Sequence, residues 1–380
     1  KDDSFVNSVI EDFNGFVFTD DEKYMRHAIE LAKKGLGWTN PNPMVGAVIV
    51  KDGKIIGEGY HKKYGELHAE TSALNNCTKS PEGATIYVTL EPCCHHGKQP
   101  PCTEAIIKAG IKRVVIGSLD PNPLVSGKGM QILREHNIHV DNKLVCNREC
   151  IDMNYVFFHY IKEKMPYVIV KYAQTLDGKI ATHNGLSKWI TGDAARENVH
   201  MDRHRYSAIM VGINTVLKDD PMLNCRSKAI ENPHQPVRIV CDTKLRIPYD
   251  SKLVKTAGQI PVWIVTCCND KERISMYENA GCEIIAMEGE KIDIAQLMII
   301  LGRRGIDSCI CEGGAELNWS VIKSGMVKRI QAYIAPKIFG GVDAPASVAG
   351  TGFDAPDDAL KLKDYTVTRL GDDILIEGEV

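Results

Sequence analysis

The chain has 380 residues and a mass of 42.1 kDa, which favours two or three domains because an average domain has roughly 100–200 residues. Hydrophobic residues make up 44% and charged residues 25%, ordinary values that exclude a mainly disordered or fibrous chain. The net charge of −3 is too balanced for a protein that coats nucleic acid. No run reaches the roughly 18–20 apolar residues of a membrane span. We therefore expect no nucleic-acid partner and no membrane partner.

The 13 cysteines indicate the cellular compartment. They are too sparse for a disulfide scaffold, and their odd number argues against complete internal pairing. The N-terminus lacks the basic, apolar and small-residue pattern of a signal peptide. These features predict a reducing, cytoplasmic location. Residues 1–18 carry no motif and are treated as an N-terminal extension of unknown role.

The first half of the chain alternates helices and strands. Thr19 can cap a helix whose third following residue is Glu22, and apolar residues recur at helical spacing after it. The pattern then predicts a strand over 45–50, a hairpin turn over 51–54, a strand over 55–60, a helix from 68 to 75, a strand over 84–90, a helix over 103–109, a strand over 113–116, a helix over 129–137 and a strand over 138–140. Such alternation predicts an α/β sandwich.

A polar stretch over 162–166 ends in proline and predicts a domain boundary. It divides the chain into residues 19–164 and residues 165–380. In the second part, strand-like runs occur at 167–173, 208–211, 237–242, 262–266, 308–311 and 330–334. We therefore expect a second α/β domain there.

A zinc-site pattern lies in the first part. His68 begins a predicted helix, and Cys93 and Cys102 each follow a proline. One imidazole and two thiolates suit a catalytic zinc, which commonly leaves its fourth position to a water that loses a proton near neutral pH. Glu70 would lie near the metal without binding it and could carry a proton to the ring nitrogen and the departing amine. Zinc deaminases have this arrangement.

The spacing departs from that of nucleobase-editing deaminases, which have two residues between the cysteines. Here residues 94–101 separate them, and both proline–cysteine steps are present, so we interpret the segment as an inserted loop. A structural zinc site is the alternative, with Cys94, His95 or His96 as a fourth ligand. Glu70 favours the catalytic interpretation because a structural site has no use for that carboxylate.

The chain resembles the bifunctional riboflavin-biosynthesis deaminase–reductases over about residues 20–375. The resemblance rests on motifs in the family's order: Asn42-Pro43-x-Val45-Gly46-Ala47, His68-Ala69-Glu70, Leu90-Glu91-Pro92-Cys93, His95-x-Gly97-Lys98-x-Pro100-Pro101-Cys102, Asp120-Pro121-Asn122-Pro123, Leu176-Asp177-Gly178-Lys179, Ser187-x-Trp189-Ile190-Thr191, Asp219-Asp220-Pro221 and Glu312-Gly313-Gly314. It implies a cytidine-deaminase-like α/β/α sandwich followed by a dihydrofolate-reductase-like α/β domain.

The resemblance also implies the chemistry. The first domain would remove the 2-amino group of a diaminopyrimidinone that carries a ribosylamino 5′-phosphate, using one zinc ion held by His68, Cys93 and Cys102. The second would reduce the ribose to a ribityl chain with NADPH. The family is usually oligomeric, so we expect a homo-oligomer that takes a small phosphorylated pyrimidine as substrate.

The implied contacts fall into three groups. The deaminase substrate would meet Asn42, His61, His95 and Lys98. The reductase substrate would meet Lys171, Ser187, Arg203, Leu223, Arg226 and Glu312. The cofactor NADPH would meet Ala173, Trp189, Thr215, Asp219, Thr243, Gly314, Ala315, Glu316, Leu317, Asn318, Trp319 and Ser320.

Without the resemblance, the residues of the second domain give less information about its function. No G-x-G-x-x-G opens a helix after a first strand, so a Rossmann site is not supported. The strand-to-helix turn at Gly313-Gly314 could present N–H groups to a phosphate, or be only a turn. Arg203 and Arg226 suit a phosphate or surface ion pairs. His61 could be an ordinary buried histidine, and Trp189 could belong to the core.

Lys171 and Glu312 are the two candidates for the proton donor of the reduction. Three other functions remain open: a nucleic-acid-editing deaminase with an accessory domain, a zinc-stapled binding protein without activity, and a bifunctional chain with one degenerate domain. The balanced charge and the inserted loop disfavour the first, and the intact Glu70 disfavours the second.

Overall fold

The structure is a computed structural model that describes residues 10–11, 17–95, 100–123 and 125–380. The chain divides into two compact units between Glu163 and Lys164. In the part described, no helix combines the length and apolar character needed to cross a bilayer. Most of the N-terminal extension lies outside the described residues. Its described backbone forms two short antiparallel strands, β1 (Ile10–Glu11) and β2 (Val17–Phe18).

The first unit has a five-stranded sheet in the order β4-β3-β5-β6-β7, in which β3 is antiparallel to both neighbours and β5, β6 and β7 are parallel. Its elements are α1 (Asp20–Lys33), β3 (Gly46–Lys51), β4 (Lys54–Tyr60), α2 (Ala69–Asn75), β5 (Thr85–Val88), α3 (Cys102–Lys108), β6 (Arg113–Ile116), α4 (Lys128–Glu135), β7 (His139–Val140), α5 (Asn147–Met153) and α6 (Tyr155–Glu163).

Local sequence explains where these elements begin and turn. The main-chain N–H of Glu22 donates to the Thr19 hydroxyl, and the Thr19 N–H donates to the Glu22 carboxylate, so the predicted capping box is confirmed. The predicted hairpin turn between β3 and β4 is also confirmed. Asp52 and Gly53 have φ values of 51° and 70°, the left-handed conformation that a tight two-residue hairpin requires.

Apolar residues cover both faces of this sheet. Met25 and Ala28 of α1 pack on one face together with α5. Ala73 of α2, Ile106 of α3 and Leu133 of α4 pack on the other. The unit is therefore a three-layer α/β/α sandwich, as predicted.

The second unit has a nine-stranded sheet in the order β12-β11-β10-β9-β13-β8-β14-β16-β15. The first seven strands in that order are parallel, and β16 is antiparallel to both neighbours. The elements are β8 (Tyr167–Thr175), α7 (Asp193–Arg205), β9 (Ala208–Gly212), α8 (Ile213–Asp219), β10 (Val237–Cys241), α9 (Lys252–Lys255), β11 (Val262–Thr266), α10 (Lys271–Asn279), β12 (Glu283–Ala286), α11 (Ile294–Arg303), β13 (Ser308–Cys311), α12 (Ala315–Lys323), β14 (Val327–Ala335), a 3-10 turn (Pro356–Asp358), β15 (Lys363–Leu370) and β16 (Asp373–Glu379).

The two faces of the second sheet differ in character. One face carries the large apolar core, where α11 contributes Leu297 and Leu301 and α12 contributes Val321. The other face is covered by α7, whose Ala195 and Val199 pack with Tyr333 and Leu375. The carboxyl ends of β8, β9, β10 and β13 lie side by side, and ligands of open parallel sheets commonly bind at such an edge.

Replacing Gly46 by alanine should destabilise the first unit. A β-carbon there would lie 1.9 Å from the Ala28 carbonyl oxygen and 2.9 Å from the Ala32 nitrogen, both in the backbone of α1. Forcing the helix away should lower the free energy of unfolding by about 1–3 kcal/mol or more. Urea unfolding measures this, with Gly258→Ala as control because nothing lies within 4 Å of a β-carbon at that position. Equal midpoints for the two variants would contradict this account of the packing.

Candidate active sites

Three metal-ligand side chains meet in the first unit. His68 is at the N-cap position of α2, Cys102 is the first residue of α3, and Cys93 follows β5. The His68 Nδ1 lies 3.3 Å from the Cys102 Sγ and 3.5 Å from the Cys93 Sγ, and all three ligand atoms lie within 4.8 Å of one another. One imidazole and two thiols at this spacing fit a zinc ion with a fourth position left open.

The surroundings of Cys93 favour its thiolate form. The Cys102 and His68 side chains hydrogen-bond to the Cys93 sulfur, and the Cys102 main-chain N–H donates to it at 3.3 Å. These donors hold the pKa of Cys93 well below its usual value, against the opposing effect of burial. Zinc binds cysteine as the thiolate, so the site is prepared for a metal.

Glu70 lies beside this cluster. It is the second residue of α2 and is 4% exposed. Burial and the negative Cys93 raise the pKa of Glu70 to about 7, against the effect of His68. A carboxyl group with this pKa can both accept and release a proton near neutral pH, as a general acid–base catalyst must.

The cluster opens into a cavity of about 340 Å³, which Asn42, His61 and His95 also line. The His61 Nδ1 donates to the Leu67 carbonyl oxygen at 3.0 Å, which leaves its Nε2 to accept from the Asn42 amide at 3.4 Å. Burial lowers the pKa of His61, so the ring is neutral. His61 is therefore both a hydrogen-bonded buried histidine and a cavity residue.

The inserted loop is described only in part. Lys98 and His96 lie outside the described residues, so the predicted substrate contact of Lys98 stays a prediction. The described metal cluster contains neither Cys94 nor His95. Within the described residues it therefore has three ligands and no fourth.

The cavity residues that received no role from the sequence include Glu91, Asp120, Asn122, Phe157 and Ile161. The Glu91 carboxylate accepts main-chain N–H groups of Gly127 at 2.9 Å and Met130 at 3.3 Å, and so holds the start of α4 beside the cavity. The Asp120-Pro121-Asn122-Pro123 motif was a signal for two of them. Phe157 and Ile161 lie on α6 next to the domain boundary, and no motif in the sequence pointed to them.

The second unit contains a row of polar residues across its sheet. Lys171 of β8 pairs in register with Gln331 of β14, which pairs with Glu377 of β16. Glu312 follows β13 at the next position beyond Cys311, which pairs with Val170, so it neighbours Lys171. The Lys171 Nζ lies 3.6 Å from a Glu312 oxygen and 5.4 Å from the centre of the Tyr333 ring.

Arg203 of α7 completes this cluster. Its Nε and Nη2 donate to the two Glu312 oxygens at 2.7 and 2.8 Å, and its Nη1 donates to the Asn224 carbonyl at 3.1 Å. The Arg203 and Glu312 side chains are 13% and 7% exposed, so this is a buried bidentate pair rather than the surface ion pair that the sequence left open.

The charged groups of this cluster shift one another's pKa values. Burial alone would raise the pKa of Glu312, but the Arg203 and Lys171 cations lower it to about 2. Burial lowers the pKa of Lys171, and Arg203 lowers it further, although Glu312 opposes both. At neutral pH, Glu312 is therefore an anion.

Several predicted cofactor residues gather at the carboxyl edge of the sheet. Gly314 is the N-cap of α12 and has no side-chain cap. A β-carbon on Gly314 would lie 3.4 Å from the Thr215 Oγ1, and one on Gly212 would lie 4.0 Å from the Gly314 nitrogen. Thr243 follows β10, the next strand of the sheet, and Ala173 is near the end of β8. Small residues and a helix N-terminus suit the approach of a phosphate-bearing cofactor.

The other predicted cofactor residues are placed differently. The Asn318 amide donates to the Ser347 carbonyl at 2.9 Å, and the Trp319 ring packs against Phe353. Both side chains are thus engaged inside the unit. Trp189 is 65% exposed and stacks under the Arg196 guanidinium, so the alternative that it belongs to the core is wrong. Ala315, Glu316, Leu317 and Ser320 complete the predicted run on α12, and Asp219 ends α8.

The remaining predicted substrate residues are Ser187, Leu223 and Arg226. Leu223 is buried, Ser187 is half-buried and Arg226 is exposed. Sequence reasoning missed two α7 residues: His200, whose Nδ1 accepts the Arg226 main-chain N–H, and Asp202, whose charge acts on Lys171. Asp202 is 8% exposed, and burial raises its pKa to about 6. Polar residues on a helix usually face solvent, so the sequence gave no signal for either.

Comparisons with known proteins divide the chain in the same way. Residues 18–118 match the cytidine and deoxycytidylate deaminase zinc-binding region, and residues 166–376 match the RibD C-terminal domain. The riboflavin biosynthesis protein RibD of Actinobacillus pleuropneumoniae is 50% identical over 366 residues, which cover 96% of each chain. RibD of Escherichia coli is 37% identical over 94% of this chain and 98% of its own.

Solved structures agree with these similarities. A diaminohydroxyphosphoribosylaminopyrimidine deaminase/5-amino-6-(5-phosphoribosylamino)uracil reductase from Thermotoga maritima superposes with a TM-score of 0.84 at 39% identity, covering 95% of this chain and 98% of that one. RibD of Acinetobacter baumannii superposes with a TM-score of 0.85 at 36% identity, covering 95% and 99%. The predicted order of a deaminase-like and a reductase-like α/β domain is confirmed.

Replacing Glu312 by glutamine should destabilise the second unit at neutral pH. The change leaves two buried cations without their counter-charge, which should cost about 3–5 kcal/mol. The depressed pKa means that the carboxylate stabilises the fold above its unfolded pKa of about 4.3, and that this stabilisation is lost as the pH falls toward about 2. Urea unfolding between pH 7 and pH 3 should show the two proteins converging in acid.

The matched control for this variant is Glu290→Gln, because Glu290 is exposed. It should leave the unfolding free energy within about 0.5 kcal/mol of wild type. A Glu312→Gln protein that is as stable as this control at pH 7 would contradict the role of Glu312 as a buried counter-ion.

Proposed function

The chain belongs to the RibD family of bifunctional riboflavin-biosynthesis deaminase–reductases, and from this premise we propose the substrate and the residue roles of each unit. The first unit, a zinc-binding deaminase domain, hydrolyses the 2-amino group from a diaminopyrimidinone that carries a ribosylamino 5′-phosphate. The second unit reduces the ribosyl group of that product with NADPH. The observation that carries the proposal is the His68, Cys93 and Cys102 cluster beside the buried Glu70.

In the deaminase unit, His68, Cys93 and Cys102 hold one zinc ion. Zinc bound by such a set supplies Lewis acidity, which makes water in the cavity easier to deprotonate. Glu70 accepts one proton of the attacking water and passes it to the ring nitrogen, and then carries the second proton, from the added hydroxyl, to the amine, so that ammonia leaves as the carbonyl oxygen takes its place. The pKa of about 7 for Glu70 supports both halves of this transfer.

The other cavity residues bind and orient the pyrimidine. Asn42, His61 and His95 line the cavity that contains Glu70, and Lys98 belongs to the loop between the two cysteines. The Leu67 carbonyl and the Asn42 amide fix the His61 ring, so it can position the substrate without titrating. Lys98 and His95 supply positive charge and donors that suit the substrate phosphate.

In the reductase unit, the carboxyl edge of the sheet holds the cofactor. NADPH supplies the hydride, and the protein positions the nicotinamide against the sugar carbon and excludes water. The uncapped N-terminus of α12 at Gly314 binds phosphate through main-chain N–H groups. Thr215 lies next to Gly314, and we assign Ala173, Thr243, Trp189 and Asp219 to the same cofactor site because the family resemblance implies it.

Glu312 and Lys171 have different roles in the reduction. With a pKa of about 2, Glu312 holds no proton to give at neutral pH, whereas the Lys171 ammonium holds one and is made a better acid by burial. Lys171 is therefore the proton donor, and Glu312 holds it in place. Ser187, Leu223, Arg203 and Arg226 surround the substrate, and the exposed Arg226 contacts its phosphate. The homo-oligomeric state and the cytoplasmic location expected from the sequence stay predictions.

Replacing Glu70 by glutamine should abolish ammonia release while zinc stays bound. Loss of a general acid–base group should lower the deaminase kcat about 10²–10⁴-fold. Ammonia release from the diaminopyrimidinone ribosylamino phosphate is measured without NADPH, together with zinc content. Glu82→Gln, an exposed carboxylate in the same unit, is the control and should keep full activity.

Two outcomes would contradict the deaminase proposal. A Glu70→Gln protein that releases ammonia at the wild-type rate would remove Glu70 from the chemistry. A zinc-loaded wild type that releases no ammonia from this substrate would rule out the proposed substrate class.

Replacing Lys171 by methionine should lower the reductase kcat about 10²–10⁴-fold, since the variant keeps the length of the side chain but loses its proton. The assay follows NADPH consumption with the deaminated substrate. Lys323→Met, at the exposed end of α12, is the control and should be fully active. Unchanged turnover in Lys171→Met would show that the proton comes from elsewhere.

A further inference from the structure

Helix α7 holds the segment that carries Arg226 through several hydrogen bonds. The Arg203 Nη1 donates to the Asn224 carbonyl at 3.1 Å, and the Cys225 Sγ donates to the His200 carbonyl at 3.0 Å. The Arg226 main-chain N–H donates to the His200 Nδ1 at 3.2 Å. Since His200 and Arg203 are three residues apart on α7, they share one face of the helix. His200 is thus packed between the two arginines of the proposed substrate site.

The hydrogen bond from the Arg226 main-chain N–H fixes the tautomer of the His200 ring. A main-chain N–H can only donate, so the Nδ1 must be the unprotonated acceptor, and the proton of the neutral ring is on Nε2. Burial and the charges of Arg203 and Arg226 lower the pKa of His200 to about 4, against the effects of Glu312 and Glu197. At neutral pH the ring therefore presents one N–H donor, in fixed orientation, among these groups.

The charges around His200 favour an anion. Arg203 and Arg226 face it with positive charge, and Glu312 is already paired with Arg203. Glu197 is one turn earlier on α7. Its carboxylate accepts hydrogen bonds from the Ser227 hydroxyl at 2.5 Å and from the Lys228 main-chain N–H at 3.1 Å, so its charge is directed at the residues that follow Arg226. The Arg226 guanidinium, which also hydrogen-bonds the Asn224 side chain, is exposed.

We propose that His200 is a further substrate-binding residue of the reductase, whose Nδ1 fixes the main chain of Arg226 and whose Nε2–H donates to the substrate phosphate. The inference rests on the proposed reductase function and deepens it. His200 acts in two ways: it positions the Arg226 that contacts the phosphate, and it supplies a neutral donor beside that charge. Hydrogen bonds to charged groups are among the stronger ones, so the donor should matter for binding.

Two isosteric substitutions separate these roles, because an asparagine oxygen occupies the place of Nδ1 and a glutamine nitrogen that of Nε2. His200→Asn keeps the acceptor for Arg226 and loses the donor. It should raise the reductase KM for the phosphorylated substrate about 10-fold, with kcat within about two-fold, and leave the KM for the dephosphorylated substrate unchanged. His200→Gln keeps the donor, so its effect should disappear in an Arg226→Met background, whereas that of His200→Asn should persist.

His204→Asn is the matched control. The His204 Nδ1 also accepts a main-chain N–H, that of His234 at 3.0 Å, and lies one turn further along α7. This variant should leave both KM values unchanged. Equal losses on the two substrates in His200→Asn would show a purely structural role, and unchanged KM values would show no role. Either result overturns the inference.

A second measurement does not depend on turnover. Inorganic phosphate should raise the thermal unfolding temperature of the wild type more than that of His200→Asn. If the wild type fails to reduce the proposed substrate, the proposed function fails while this comparison still tests His200. Equal stabilisation of both proteins by phosphate would overturn the inference.

Discussion

Helix α2 lies so close to strand β4 that there is no room for side chains between them. A β-carbon at Gly57 would lie 2.6 Å from the Ala73 carbonyl oxygen, and one at Gly59 would lie 2.5 Å from the Ala69 carbonyl oxygen. Main-chain contact of this kind leaves the helix little freedom to slide or rotate. The first turn of α2 carries His68 and Glu70, so two glycines of a neighbouring strand fix the positions of the proposed metal ligand and the proposed proton carrier.

The reductase site depends on register in the same way. Lys171, Gln331 and Glu377 lie side by side because their strands pair at those residues, and Glu312 joins them at the end of β13. A shift of one residue in any strand would turn its side chain to the apolar face under α11 and α12. The buried charges therefore need the surrounding apolar core, which specifies the register that brings them together.

The features that could be predicted from the sequence are those that depend on neighbouring residues or on a distinctive spacing of residue types. The Thr19 cap, the Asp52-Gly53 turn and the His68, Cys93 and Cys102 set are of this kind. Strands β12, β15 and β16 were missed. Strand β15 is exposed along its length at the sheet edge, so it lacks the apolar run that marks a buried strand.

The hydrogen-bond partners of individual side chains could not be predicted from the sequence, for a different reason. Arg203 was expected to bind phosphate with its guanidinium fork, yet in the structure that fork binds Glu312, a residue 109 positions away. His200 and Asp202 gave no signal because only the packing of α7 on the sheet decides which of its polar residues are buried. Pairing between residues so far apart in sequence depends on how the strands assemble into the sheet. The composition of either segment alone therefore does not predict it.

The two buried glutamates, Glu70 and Glu312, have different pKa values because their surroundings differ. Glu70 is buried beside the negative Cys93, and its pKa rises to about 7. Glu312 is equally buried, but Arg203 and Lys171 lie beside it and its pKa falls to about 2. The same side chain is thus suited to proton transfer in one unit and is an anion at neutral pH in the other. Environments that push the pKa values of like groups apart mark different roles, and they support the proposed proton transfer by Glu70 and Lys171, with Glu312 as the negative charge beside Lys171 and Arg203.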